Sequence, residues 1–203
     1  MAKRKFQSMV TPTGVAVWPK INKPETKFNS DGVYETKLRF DAKVGGAFLA
    51  ALNEIHDEWI EECQANKGKS VKRKELATEV EEDGVKTGEL EFKFKLDAIA
   101  GKPPDTWEQR PVIYDSQGTP IEGMTQTIGS GSKLKISFEI VPYMNAMVGA
   151  GLSLRMRGVQ VIDLVEFSGG GFDSMGFKQE EGFKTEVIKE TSDDVFDSAA
   201  DFS

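Results

Sequence analysis

The sequence has one cysteine, Cys63, and one histidine, His56, among its 203 residues. A lone cysteine excludes an intrachain disulfide and agrees with a reducing compartment. The two residues stand two helical turns apart in a helical pattern, roughly 10 Å, too far to hold one metal. His56 therefore reads as a helix-surface residue and Cys63 as a small core side chain. A histidine-based triad has only His56 to draw on, and no pair of carboxylates stands out for acid–base work. The stretch "IGSGSKLK" (128–135) lacks the GxxxxGK[ST] spacing and leads into a strand pattern, so it reads as a turn and not a phosphate loop. No apolar run approaches ~18 residues, so no membrane span is expected. The start, "MAKRKFQSMV", has no apolar h-region, so no signal peptide is expected either. No cofactor or metal is implied.

An excess of acidic charge is absent where it would count against a polyanionic partner. The net charge of −7 arises from 26 Lys+Arg against 33 Asp+Glu. Residues 1–165 balance at 23 of each, and residues 166–203 hold the remaining 3 basic and 10 acidic residues. The sequence pI of about 5.0 thus reports the C-terminal segment. What matters for the rest is whether its cations gather on one surface.

What is present is alternation at period two. "GVYETKLRF" (32–40) puts Tyr34, Thr36, Leu38 and Phe40 on one face and Lys37 and Arg39 on the other. "ELEFKFKLDA" (89–98) sets Leu90, Phe92, Phe94 and Leu96 against Lys93 and Lys95. "SKLKISFEIV" (132–141) sets Leu134, Ile136, Phe138 and Ile140 against Lys133 and Lys135. "GLSLRMRGVQVIDLVEF" (151–167) sets Leu152, Leu154 and Met156 against Arg155 and Arg157, with a bulge expected at Gly158. "GVAVWPKI" (14–21) reads as a first strand cut by Pro19, and "RPVIYDSQG" (110–118) as a short strand ending in a turn. Such patterning predicts antiparallel strands with one solvated face.

One helix is predicted, over about 44–66, where Val44, Phe48, Leu49, Leu52, Ile55, Trp59, Ile60 and Cys63 recur at helical spacing. A basic loop, "KGKSVKRK" (67–74), and a polar connector (75–88) follow. Five or six strands and one helix in about 165 residues fit a small barrel capped by a helix. From "SGGGFDSMGF" (168–177) onward the alternation stops. The glycines 169–171 read as a hinge, and 172–203 as largely disordered, with too few large apolar groups to offset ordering.

Paired cations on four strand faces predict a basic groove that neutralises phosphates and releases counterions. Bases would stack on exposed rings, for which Trp18, Trp107 and Tyr143, each beside a proline or in an expected loop, are the candidates. Lys37, Arg39, Lys93, Lys95, Lys133, Lys135, Arg155 and Arg157 form the predicted electrostatic track. A barrel has several sides, so only part of this set can line one groove.

The chain also resembles the single-stranded DNA-binding proteins of T-odd, short-tailed bacteriophages. The resemblance rests on "MAKRKF" (1–6), "GVY" (32–34), "FKFK" (92–95), "YDSQG" (114–118), "IGSGSKLKISFEIVPY" (128–143), "VGAGLSLRM" (148–156) and "LVEFSGGG" (164–171). It implies a mainly β protein: a five-stranded OB barrel with one capping helix, and an acidic, phenylalanine-bearing end. It implies binding of single-stranded DNA in phage replication, recombination and strand annealing. The family's DNA-contacting positions fall on Lys3, Lys93, Lys95 and Tyr143. Two positions depart: a family arginine before "GVY" is Asp31 here, and an aromatic two residues after "FKFK" is Asp97. Lys37, Arg39 or the 67–74 loop would have to compensate.

The expected organisation is a DNA-binding domain over 1–167, with the helix and basic loop inserted at about 44–88, followed by a glycine hinge and acidic tail over 168–203. The resemblance assigns the tail to contacts with the phage DNA polymerase and primase-helicase. The residues expected to serve them are Asp193, Asp194, Phe196, Asp197, Asp201 and Phe202, although Ser203 follows the phenylalanine here. Tethered beside a basic groove, the tail would also compete with DNA. A homodimer, a location in the cytoplasm of the infected bacterial host and the absence of enzymatic activity are expected as well. Two rival readings stand: a protein-interaction module without nucleic-acid binding, and a magnesium-dependent nuclease.

Overall fold

The computed structural model describes residues 6–67 and 70–167, with the side chain of Lys67 excepted. Expectations about Lys3, about residues 68 and 69 of the basic loop, and about the whole of 168–203 lie outside the described residues.

The protein is mainly β with one helix. In chain order the elements are β1 (Gln7–Val10), β2 (Gly14–Glu25), β3 (Val33–Phe40), α1 (Ala42–Lys67), β4 (Thr78–Glu82), β5 (Val85–Asp97), β6 (Ile99–Lys102), β7 (Asp105–Glu108), β8 (Val112–Tyr114), β9 (Lys133–Asn145) and β10 (Gly149–Asp163). The main sheet runs β1-β9-β2-β3-β5-β10-β8, and β9 also pairs with β10. The pairings of β9, β2, β3, β5 and β10 therefore close on themselves. β10 runs parallel to β5 and to β8, and antiparallel to β9.

Alternation places the core as the sequence requires. Leu38, Phe40, Phe92, Phe94, Leu134, Ile136, Phe138, Leu154 and Met156 are all at most 4% exposed. Their inward spacing follows from the two-residue pleat, so the opposite faces carry the cations outward. The bulge expected at Gly158 falls beside it, as a register shift between Met156 and Gly158. Pro19 does not end β2: the strand continues to Glu25 through a register shift between Val17 and Lys20.

Helix α1 begins at Asp41, whose carboxylate accepts the N–H groups of Lys43 (2.9 Å) and Val44 (2.8 Å). These are two of the donors that a helix start otherwise leaves unpaired. Phe48 then enters an aromatic cluster, with ring centroids 5.7 Å from Phe40, 4.9 Å from Phe92 and 6.0 Å from Phe138. The helix thus packs on one end of the strand ring.

Three further expectations need correction. His56 is not on the helix surface: it is fully buried, and its Nε2–H donates to the Ala150 carbonyl of β10 at 3.1 Å. Position 56 continues the stripe Phe48–Leu52 at four-residue spacing, a signal that chemical type obscured. Burial lowers the imidazole below the usual histidine range, the Ala150 bond opposing it, with the nearby Arg73 charge adding to the lowering. The connector 75–88 is not merely polar linker, since it contains β4 and the start of β5. Trp107 lies in a strand, β7, of a two-stranded hairpin with β6, and not in a loop.

Candidate functional site

Cross-strand register turns the outward residues into rows. One row runs Lys20 (β2), Glu35 (β3), Lys95 (β5), Arg155 (β10), Glu139 (β9), Ser8 (β1). A second runs Val17, Lys37, Lys93. A third runs Lys133, Val15, Arg39, Glu91, Thr78. Neighbouring strands stand about 4.8 Å apart, so the β2–β3–β5–β10 face holds Lys20, Lys37, Arg39, Lys93, Lys95 and Arg155 side by side.

The eight cations predicted from alternation do not all converge. Lys37, Arg39, Lys93, Lys95 and Arg155 share that face, and Lys133 joins it across Val15. Arg157 lies at the β10 bulge, 3.8 Å from Glu139. Lys135 is in register with Gln160, which pairs with Tyr114 of β8. That row includes no residue of β2, β3 or β5. From the basic loop, Arg73 is already engaged, by Asp57 and Asn53 of α1.

Carboxylates interleave with these cations. Lys93 meets Glu35 at 2.6 Å, Lys37 meets Glu91 at 2.8 Å, and Arg155 meets Glu139 at 2.5 Å. Lys133 lies 3.6 Å from Asp163. Arg39 donates to Glu91 at 2.9 Å and reaches Glu82 and Glu89, each at 3.7 Å. Glu91 differs from the others in being buried, at 8% exposed. Its burial alone would raise the carboxyl, but the hydrogen bonds and charges of Lys37 and Arg39 outweigh that and hold it below the usual carboxylate range.

The three predicted stacking rings differ in exposure and in place. Trp18 is 77% exposed and sits at the β2 register shift with φ +48°, in the left-handed region. Its N–H donates to Ser130 Oγ at 3.0 Å, which pins the strained residue to the 129–132 turn. Trp107, also exposed, stands on the β6–β7 hairpin. Tyr143 is half-buried and lies over its cross-strand partner Gly151, where an added Cβ would come within 2.5 Å of the phenol oxygen. It is thus the least open of the three predicted stacking rings. The "YDSQG" segment is a turn clip: Asp115 accepts the N–H groups of Gln117 and Thr119.

Three residues were not anticipated. Phe28 is 89% exposed in the β2–β3 connection, with Lys27 Nζ 5.5 Å from its ring centroid. A lone aromatic in the polar stretch "PETKFNSDG" was the available signal. Lys20 faces outward only because the register shift between Val17 and Lys20 reverses the alternation of β2. Phe6 lies 5.0 Å from the Arg155 guanidinium, a contact that only the fold creates.

Among the described residues no three His, Cys, Asp or Glu side chains group as metal ligands, and no helix is long and apolar enough to cross a membrane. A family model described as "Single-stranded DNA-binding protein, Bacteriophage T7" matches residues 13–164. The single-stranded DNA-binding protein of Escherichia phage T7 is 30% identical over 200 residues, covering 90% of this chain and 86% of that protein. Its counterpart from Enterobacteria phage T3 is 32% identical over 167 residues, covering 76% and 72%. The crystal structure of gp2.5, a single-stranded DNA binding protein of bacteriophage T7, superposes with a TM-score of 0.66 at 27% identity, over 90% of this chain and all of that one. With rows of outward cations on a closed strand ring and a family match across nearly all of it, the chain belongs to the bacteriophage T7 single-stranded DNA-binding protein family.

Proposed function

We propose that this protein binds single-stranded DNA without sequence preference and serves phage DNA replication, recombination and strand annealing. The β2–β3–β5–β10 face is the site. The observation that carries the reading is the registered set of lysines and arginines on adjacent strands, bordered by the exposed ring of Trp18. Lysine ammonium groups are point charges that meet phosphates in any orientation. Rings stack on any base. Together they give affinity without base readout.

The strand order supports reading the ring as an OB fold, with β2, β3, β5, β9 and β10 as its five strands and α1 as its cap. In that fold oligonucleotides lie across the second and third strands and the loops beside them. Those strands would be β3 and β5, and the loops would include Phe28 in 26–32 and Met147 in 146–148. Lys3 would add a cation from the N-terminal segment. The protein acts as a binding protein and not an enzyme, in the cytoplasm of the infected bacterium.

The acidic segment completes the reading. Residues 166–203 hold 10 acidic and 3 basic residues, a charge complementary to the face. In this reading they compete with DNA and, once displaced, dock the phage polymerase and primase-helicase through Phe196, Phe202 and the aspartates between. Titration with oligo-dT, followed by tryptophan fluorescence across a salt series, tests both parts. Quenching is expected, with log K falling against log salt by about 0.7 per phosphate neutralised. Deleting 172–203 is expected to tighten binding several-fold at low salt. Fluorescence indifferent to oligo-dT at low salt overturns the DNA-binding reading; unchanged affinity of the truncated chain overturns only the competition.

A further inference from the structure

Glu35 is the single acidic side chain on the outward face of β3, where Lys37 and Arg39 follow it. Its cross-strand neighbours are Lys20 on β2 and Lys95 on β5. Its carboxylate holds the Lys93 ammonium at 2.6 Å. Three ammonium groups, one on β2 and two on β5, therefore flank one carboxylate of the strand between them, at positions set by sheet geometry. Lys20 is only loosely committed elsewhere, 3.9 Å from Glu25, and among the described residues Lys95 has no carboxylate at ion-pair distance.

A carboxylate presents one negative charge over two oxygens, and so does a phosphodiester. The Glu35 and Lys93 side chains are 36% and 56% exposed. An ion pair this open to water adds little to stability and separates at little cost. Glu91, buried under Lys37 and Arg39, has no such freedom.

We propose that Lys20, Lys93 and Lys95 form a phosphodiester subsite whose resident anion in the free protein is Glu35, displaced by a backbone phosphate when single-stranded DNA binds. The proposal rests on the DNA-binding reading above and deepens it. Displacement leaves the glutamate near the incoming phosphate without its lysine partner. The residue thus lowers affinity at this position and disfavours isolated anions. A polymer engages neighbouring rows at the same time, and its high effective concentration drives the exchange.

The test is anisotropy of labelled oligo-dT with the full chain across a salt series, comparing wild type, Glu35→Gln and Glu58→Gln. Glu58 is an exposed residue of α1, so its variant carries the same charge change away from the face. Glu35→Gln is expected to bind about fivefold tighter at low salt, the size of one close like-charge contact removed in water. Its salt slope should stay close to that of wild type, because the same phosphate is neutralised in both. Glu58→Gln should stay within about twofold of wild type, and the gain should at least halve in a Lys93→Gln background. Glu35→Thr, a good strand former, repeats the measurement if glutamine perturbs folding. Affinity equal to wild type, or a gain matched by Glu58→Gln, overturns the subsite while leaving DNA binding intact. Absence of oligo-dT binding by wild type overturns the parent reading instead.

Discussion

Glu35 and Glu91 stand on adjacent strands of one face, each gripped by cations, yet they belong to different kinds of site. Glu91 is buried and collects Lys37 and Arg39 at 2.8 and 2.9 Å, with β4 laid alongside through the Thr78–Glu91 pairing. Glu35 is paired as closely, at 2.6 Å to Lys93, but water reaches both partners. Distance alone does not separate the two. The solvent around each pair does: removing a partner strands a charge in the first case and merely rehydrates one in the second. One carboxylate is therefore part of the scaffold that positions Lys37 and Arg39, and the other is available for exchange.

The comparison is broken most directly at Glu91. Replacement by glutamine keeps the shape and removes the charge that Lys37 and Arg39 share. Urea unfolding at neutral pH is expected to show a loss of about 2 kcal/mol, below the fully buried case because both cations reach solvent. A loss no larger than that of Glu35→Gln would show that the two sites do not differ. The same change made at Glu35 is expected to alter stability by less than about 0.5 kcal/mol.

Acid sharpens the contrast. The Glu91 carboxyl is held low in the folded chain, so its contribution is complete above the ordinary glutamate value near 4.3. It is lost as pH falls from there through the lower folded value. The stability gap between wild type and Glu91→Gln should therefore close between about pH 5 and pH 3. His56, lowered by burial, acts in another window. The unfolded chain takes up a proton below about 6.5 while the buried ring does not. Stability lost between pH 6.5 and 5 should thus persist in Glu91→Gln. Unfolding curves at pH 7, 5 and 3 for the two proteins separate the contributions, and a gap unchanged at pH 3 would contradict the role given to Glu91.

The smallest effect is expected furthest from the face. Lys135 is in register with Gln160 and through it with Tyr114 of β8, a row that holds no residue of β2, β3 or β5. Lys135→Gln should change oligo-dT affinity less than Lys95→Gln and leave the salt slope near that of wild type, whereas Lys95→Gln should make it shallower by about 0.7. Equal effects of the two variants would mean that DNA wraps the ring instead of following one face.

Much of this protein was legible in the chain itself. The pleat forces residues two apart to share a face, so Leu38, Phe92, Phe94 and Phe138 could be assigned to the core and Lys37, Lys93 and Lys95 to the surface without any coordinates. The helix was legible for the same local reason, through the Phe48–Leu52 stripe. His56 was misread because its polarity was allowed to outweigh its place on that stripe. Phe28 escaped because no periodicity governs a connection.

Sequence alone determined which side chains point outward, how cations recur along each strand, and where the −7 charge resides, since these depend on neighbours along the backbone. The tertiary structure decided which carboxylate meets which cation, that Glu91 is covered while Glu35 is open, and that Lys135 parts company with Lys95. Register between strands distant in sequence is fixed only when the whole ring closes, because it minimises a sum of core contacts to which no single strand holds the key.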